Sequence, residues 1–195
     1  MAVMLENSVE QDRLNLKPKK FLMWLFVITS FMLFAALTSG FIVYTAGDPS
    51  RGIKMILPKL FMYSTCAIIL SSVTMHLAYK SAKALKFTAQ KMYLALTILL
   101  GVLFFVLQIQ AWKGFVADGV FFINPNASQS FIYVITGTHL LHIFAGIIVL
   151  ITALGGIMKN IPQVRNLFRM EMASIFWHFL DILWIYLYVF LLLNQ

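Results

Sequence analysis

Five long apolar runs separated by short polar stretches set the pattern of this chain, at residues 21–44, 60–79, 92–111, 131–158 and 175–193. A helix needs about 20 consecutive apolar residues to cross the hydrocarbon of a bilayer. Each run therefore predicts a membrane-spanning helix. The first carries no charged residue, and the fourth is long enough to tilt. Turn-forming residues sit between the runs. Gly47, Asp48, Pro49, Gly52 and Pro58 follow the first, and Asn124-Pro125-Asn126 precedes the fourth. Residues 1–20 are polar, end in Lys17-Pro18-Lys19-Lys20, and read as a mobile or surface-lying arm. They contain no apolar h-region, so no cleaved signal peptide is expected. The expected fold class is all-α: a polar arm over 1–20, then a polytopic bundle of five transmembrane helices over 21–195.

Composition sharpens this reading. The chain is 61% hydrophobic and only 11% charged, whereas soluble domains carry roughly 25% charged residues. A net charge of +8 does not point to nucleic acid, because the basic residues cluster in the loops between spans. The N-terminal arm and the second and fourth loops hold 11 Lys and Arg; the opposite-side loops and the C-terminus hold 4. That excess predicts a cytoplasmic N-terminus and a periplasmic or external C-terminus. The single cysteine, Cys66, leaves no intrachain disulfide and no Cys-x-x-Cys site.

Candidate chemistry concentrates in the last span, around Trp177-His178-Phe179-Leu180-Asp181. Asp181 is the only acidic residue in any apolar run. A carboxylate at membrane depth is costly and needs a partner; His178, three residues earlier, shares its helix face. Trp177, Asp181, Trp184 and Tyr188 form one stripe at helical spacing, which predicts a seam against another helix. In the fourth span His139 and His142 also share a face, a spacing that could chelate a metal. Haem ligation would instead need histidines from opposite sides of the ring. At 1.5 Å per residue, His142 lies roughly 22 Å from the cytoplasmic end of its span and His178 about 5 Å from that side. The two cannot share a metal. His76, His178 and Asp181 do fall at similar depth and predict a small polar cluster. The expected role of His139, His142, His178 and Asp181 is polar contact between helices, with no metal bound. Ala36 and Gly40, in the small-residue pairs Ala35/Ser39 and Ala36/Gly40, and Gly137 and Gly146 are expected to let helices approach closely. No nucleophile–base–orienter arrangement and no glycine-rich phosphate loop is visible, so this chain is not expected to be catalytic alone.

These same residues carry a resemblance. Thr136-Gly137-Thr138-His139-Leu140-Leu141-His142 with Gly146, and Trp177-His178-Phe179-Leu180-Asp181 with Trp184, Leu187 and Tyr188, resemble the last two helices of subunit III of haem–copper terminal oxidases. Asp118-Gly119-Val120 matches a segment common in that family, and the resemblance covers residues 17–195 in the short, five-span bacterial form. It implies a non-catalytic subunit of a proton-pumping cytochrome c oxidase in the bacterial inner membrane. The implied partners are catalytic subunit I, subunit II and membrane lipid, with cytochrome c engaged indirectly. Haems and copper would lie in the partner subunits, none in this chain, and bound phospholipid is expected. One departure stands out: Ser30, or a residue beside it, occupies the place where many members carry a membrane-embedded Glu. The alternatives are subunit III of a quinol oxidase, a self-contained proton or ion transporter using Asp181 and His178, and a membrane haem protein. Against the transporter, the spans show no proline breaks and no paired repeat.

Overall fold

In a computed structural model the five apolar runs form five helices. Residues 2–47, 52, 58–123, 126–159 and 162–194 are described, with side chains from residue 16 onward. The helices are α1 (Ala2–Ala46), α2 (Leu60–Lys83), α3 (Phe87–Ala117), α4 (Ala127–Met158) and α5 (Gln163–Leu193). All five are long and apolar enough to cross a membrane. The proposed turn residues Asp48, Pro49, Asn124 and Pro125 lie outside the described residues.

Most helices outrun the expected spans because polar ends extend a helix until a breaker stops it. Residues 2–20, read as a polar arm, continue α1 without interruption, through Pro18. Proline there removes one backbone donor and crowds the preceding turn.

Two connections show how local chemistry stops a helix. At the end of α3, Gly119 takes φ 77°. Its N–H donates to the Val116 carbonyl at 3.2 Å, and Val120 N–H to the Phe115 carbonyl at 2.9 Å. This paired cap needs a left-handed residue, and glycine supplies it without a Cβ penalty. The α2 end uses the same cap with Leu85 at φ 57°, a conformation that costs a side-chain-bearing residue about 1–2 kcal/mol. At the start of α4, the Asn126 side chain accepts the Ser128 N–H at 3.1 Å, the usual N-cap arrangement.

Helix α2 lies along α3, α3 along α4, α4 along α5, and α5 returns to α2, closing a four-helix ring; α1 docks outside it on α4 and α5. The ring interior is aromatic: Trp177, Trp184, Phe61, Phe104 and Phe115 are fully buried. A second cluster of Phe34, Ile135, Leu183 and Leu187 holds α1 to α4 and α5. Phe21, Leu22, Phe31 and Met32 are exposed along α1.

Candidate functional site

The polar side chains of the bundle lie mainly along its helix seams, and α5 carries most of them. Trp177, Asp181 and Trp184 are buried, and Tyr188 packs half-buried against the core. The stripe addresses α2: Trp177 Nε1 donates to Ser71 Oγ and Trp184 Nε1 to Thr65 Oγ1, both at 3.0 Å. Indole N–H groups in a low-dielectric interior need such acceptors, and the serine- and threonine-rich face of α2 provides them. The Trp177 ring fits against two glycines. A Cβ on Gly101 of α3 would stand 2.7 Å from its Cη2, and one on Gly146 of α4 would stand 3.1 Å from its Cζ3.

Beside this seam, His76, His178 and Asp181 come together between α2 and α5. The rings of His76 and His178 are 6.5 Å apart, and His178 Nδ1 is 3.8 Å from Asp181 Oδ2. That separation suits an ion pair when His178 is protonated but is too long for a hydrogen bond. The hydrogen-bond partner of His178 Nδ1 is Ser72 Oγ at 2.7 Å, a residue that spacing along the sequence did not single out. The clue was available: Ser72 lies four residues before His76, on the same face of α2.

His139 and His142 diverge despite their shared spacing. His142 Nδ1 lies 2.8 Å from the Thr138 carbonyl. Because a carbonyl only accepts, Nδ1 carries the proton and Nε2 is left as an acceptor. Nε2 faces buried Ser30 Oγ of α1 at 3.3 Å, so this serine hydroxyl donates to it. His139 does not make the interhelical hydrogen bond expected of it. Neither ring nitrogen has a partner among the described residues, because aromatic rings enclose it: Trp184 stacks at 5.1 Å, with Phe104 at 5.9 Å and Phe34 at 6.2 Å. His139→Phe is therefore expected to stay within about 1 kcal/mol of the parent in an SDS unfolding titration, since replacing an unpaired polar group by an apolar one of similar shape is nearly neutral. A loss above about 2 kcal/mol would show that His139 has a polar partner after all.

Further pairs complete the seams. Gln108 Nε2 donates to Ser64 at 2.9 Å, Thr74 and Thr97 hydroxyls meet at 2.8 Å, and Trp112 Nε1 donates to Thr136 at 3.2 Å. On α1, Thr38 meets the Tyr186 hydroxyl at 2.9 Å, and Lys20 pairs with Glu171. Of the expected small-residue contacts, Gly137 lies against Trp112 and Gly40 against Phe131. Ala36 differs: it is exposed. Gly101 was missed, although a glycine inside an apolar helical run is itself a sign of close approach. Among the described residues, no group of three His, Cys, Asp or Glu is arranged to hold a metal ion. A cavity of about 280 Å³ opens at the α1–α5 junction, lined by Leu16, Lys17, Lys20, Leu167, Phe168 and Glu171.

Comparison with known proteins places this geometry. The family model described as Cytochrome c oxidase subunit III matches residues 11–194. The chain is 30% identical to "Cytochrome c oxidase subunit 3" of Bacillus subtilis over 187 residues, covering 93% of this chain and 88% of that protein. It is 34% identical over 166 residues to "Cytochrome bo(3) ubiquinol oxidase subunit 3" of Pseudomonas aeruginosa, covering 83% and 78%. The corresponding Buchnera aphidicola subunit is 28% identical over 195 residues, covering 96% and 92%.

Proposed function

The chain belongs to the cytochrome c oxidase subunit III family, and from that premise we propose that it is a non-catalytic core subunit of a proton-pumping haem–copper respiratory oxidase. It sits in a bacterial cytoplasmic membrane with its N-terminus inside, beside subunits I and II, which hold the haems and copper that reduce oxygen to water. Its work is to stabilise the catalytic subunit and to support lipid and oxygen access and proton uptake.

One observation carries the non-catalytic reading. The buried tryptophans, His142, Ser30 and Gln108 are engaged helix to helix, which is what a scaffold requires. Partner contact is supported by the exposed small face of α1, where Ala35, Ala36 and Ser39 are open and would let another helix approach closely. Lipid contact is supported by the α1–α5 cavity, whose apolar walls and Lys17, beside the Lys20–Glu171 pair, suit a phospholipid with an acidic headgroup. The donor to the assembled enzyme is cytochrome c in the first reading. The similarity to the Pseudomonas aeruginosa subunit favours ubiquinol as the second.

The test is to tag this chain, extract it in mild detergent and record the spectrum and oxygen consumption of what copurifies. Haem bands and oxygen consumption are expected, with reduced cytochrome c and ubiquinol compared as donors. The chain expressed alone should be colourless. A colourless, monodisperse protein from the native membrane would overturn the reading. Complexes lacking the chain should still reduce oxygen, with slower proton uptake or faster inactivation; complete loss of haem from them would make the role assembly instead.

A further inference from the structure

The connection between α3 and α4 ends the third helix and then exposes three large apolar side chains in succession. Phe121, Phe122 and Ile123 are 53%, 57% and 89% exposed, while Val120 just before them is buried. Their depth can be read from their neighbours. Phe122 packs its ring 6.1 Å from Tyr133, whose own ring lies 5.9 Å from Trp112 and 5.9 Å from Phe115. At the same end of the bundle Tyr44 of α1 packs near Phe131 of α4. Tyr44, Trp112, Phe131 and Tyr133 thus mark the aromatic belt where spanning helices meet the headgroups. The chain after α3 therefore folds back to belt depth and presents its apolar side chains there.

We infer that residues 121–123 form an interfacial anchor that inserts Phe121, Phe122 and Ile123 among the phospholipids of the leaflet at this end of the bundle. Two features favour lipid over water or another subunit. First, backbone at this depth needs partners for its polar groups from within the protein, and four groups of this connection have them. Gly119 and Val120 N–H groups cap α3, the Val120 carbonyl accepts the Tyr133 hydroxyl at 2.8 Å, and the Phe122 carbonyl accepts the Ser130 hydroxyl at 2.7 Å. Second, three consecutive side chains are all open. A flat protein partner covers one side of a strand-like segment, whereas fluid lipid surrounds all of it. The loop is also rigidly tied to α4 by these two bonds, so insertion orders little additional chain. The inference rests on the membrane placement of the helices and not on the identity of the oxidase.

The anchor can be tested on the unaltered, complete complex in vesicles of phosphatidylethanolamine and phosphatidylglycerol. One arm uses a phospholipid carrying a diazirine near its acyl carbonyl; the other uses hydroxyl radicals generated in the water. Adducts are located by mass spectrometry in the tryptic peptide that follows Lys113. Lipid adducts on residues 121–123 are expected several-fold above those on 116–119, with oxidation of Phe121 and Phe122 several-fold below that of the SDS-unfolded chain. Strong oxidation without lipid adducts would place the loop in water, and absence of both would place it under another subunit. Either result overturns the anchor.

Discussion

Trp177→Ala is expected to destabilise the bundle by roughly 3 kcal/mol in an SDS unfolding titration, and to lower the temperature at which partner subunits separate from the tagged chain. Truncating a buried tryptophan typically costs about 3–5 kcal/mol. The lower part of that range applies because, in a membrane, the unfolded helices remain in lipid, so little of the loss is transfer from water. What remains is the packing itself. The indole of α5 meets Gly101 of α3 and Gly146 of α4 and donates to Ser71 of α2. One side chain therefore touches three other helices, and its removal opens a void at their common junction. Ser71 does not become an orphan, because its hydroxyl still donates to the Ile68 carbonyl at 2.7 Å. A loss below about 1 kcal/mol would mean that the surrounding helices collapse into the void and that Trp177 is not a structural centre.

Much of this was legible from residue pattern alone, for reasons that differ between elements. The five spans follow from apolar length, which a bilayer enforces, and the α5 seam follows from Trp177, Asp181 and Trp184 recurring at helical spacing. The cluster of His76, His178 and Asp181 followed from depth arithmetic, because antiparallel helices anchored at the same surface bring residues at equal distance from it together. Partner identity was not legible in the same way. Ser72 shares a face of α2 with His76, but which α2 hydroxyl meets α5 is fixed only when α5 places His178 beside it. His139 and His142 share a face by sequence, yet residues three apart still differ by about 60° around a helix axis, and one meets Ser30 of α1 while the other lies in an aromatic cage. That cage is built by Trp184, Phe104 and Phe34, which lie on three other helices. Polar composition sets residues 1–20 apart from the first span but does not stop a helix, and neither does Pro18. Asp118-Gly119-Val120, noticed at first only as a family resemblance, has a local physical cause in the left-handed cap of α3.

Gly101→Ala should cost about 1–2 kcal/mol, and that cost should vanish when Trp177 is changed to Phe. The new Cβ would stand 2.7 Å from Trp177 Cη2 and 3.1 Å from Cζ2, closer than nonbonded carbons tolerate. The indole cannot slide away, because Gly146 backs its other edge and Ser71 holds its nitrogen. Overpacking of this kind typically costs about 1–3 kcal/mol, and the better helix propensity of alanine returns at most about 1 kcal/mol. Phenylalanine at 177 ends short of Cη2, so the methyl group added at position 101 would enter vacated space. The double variant should therefore be no less stable than Trp177→Phe alone, giving a coupling of at least about 1 kcal/mol, within the range for residues in contact. Additive losses would place the cost elsewhere, in the packing of Gly101 against Ile147, which lies 3.5 Å from the same methyl position. The same three variants can be carried into the copurification assay. If assembly with the partner subunits depends on the ring of α2–α5 being closed, the yield of haem-bearing complex should fall for Gly101→Ala and recover in the double variant, in step with the stability of the isolated chain.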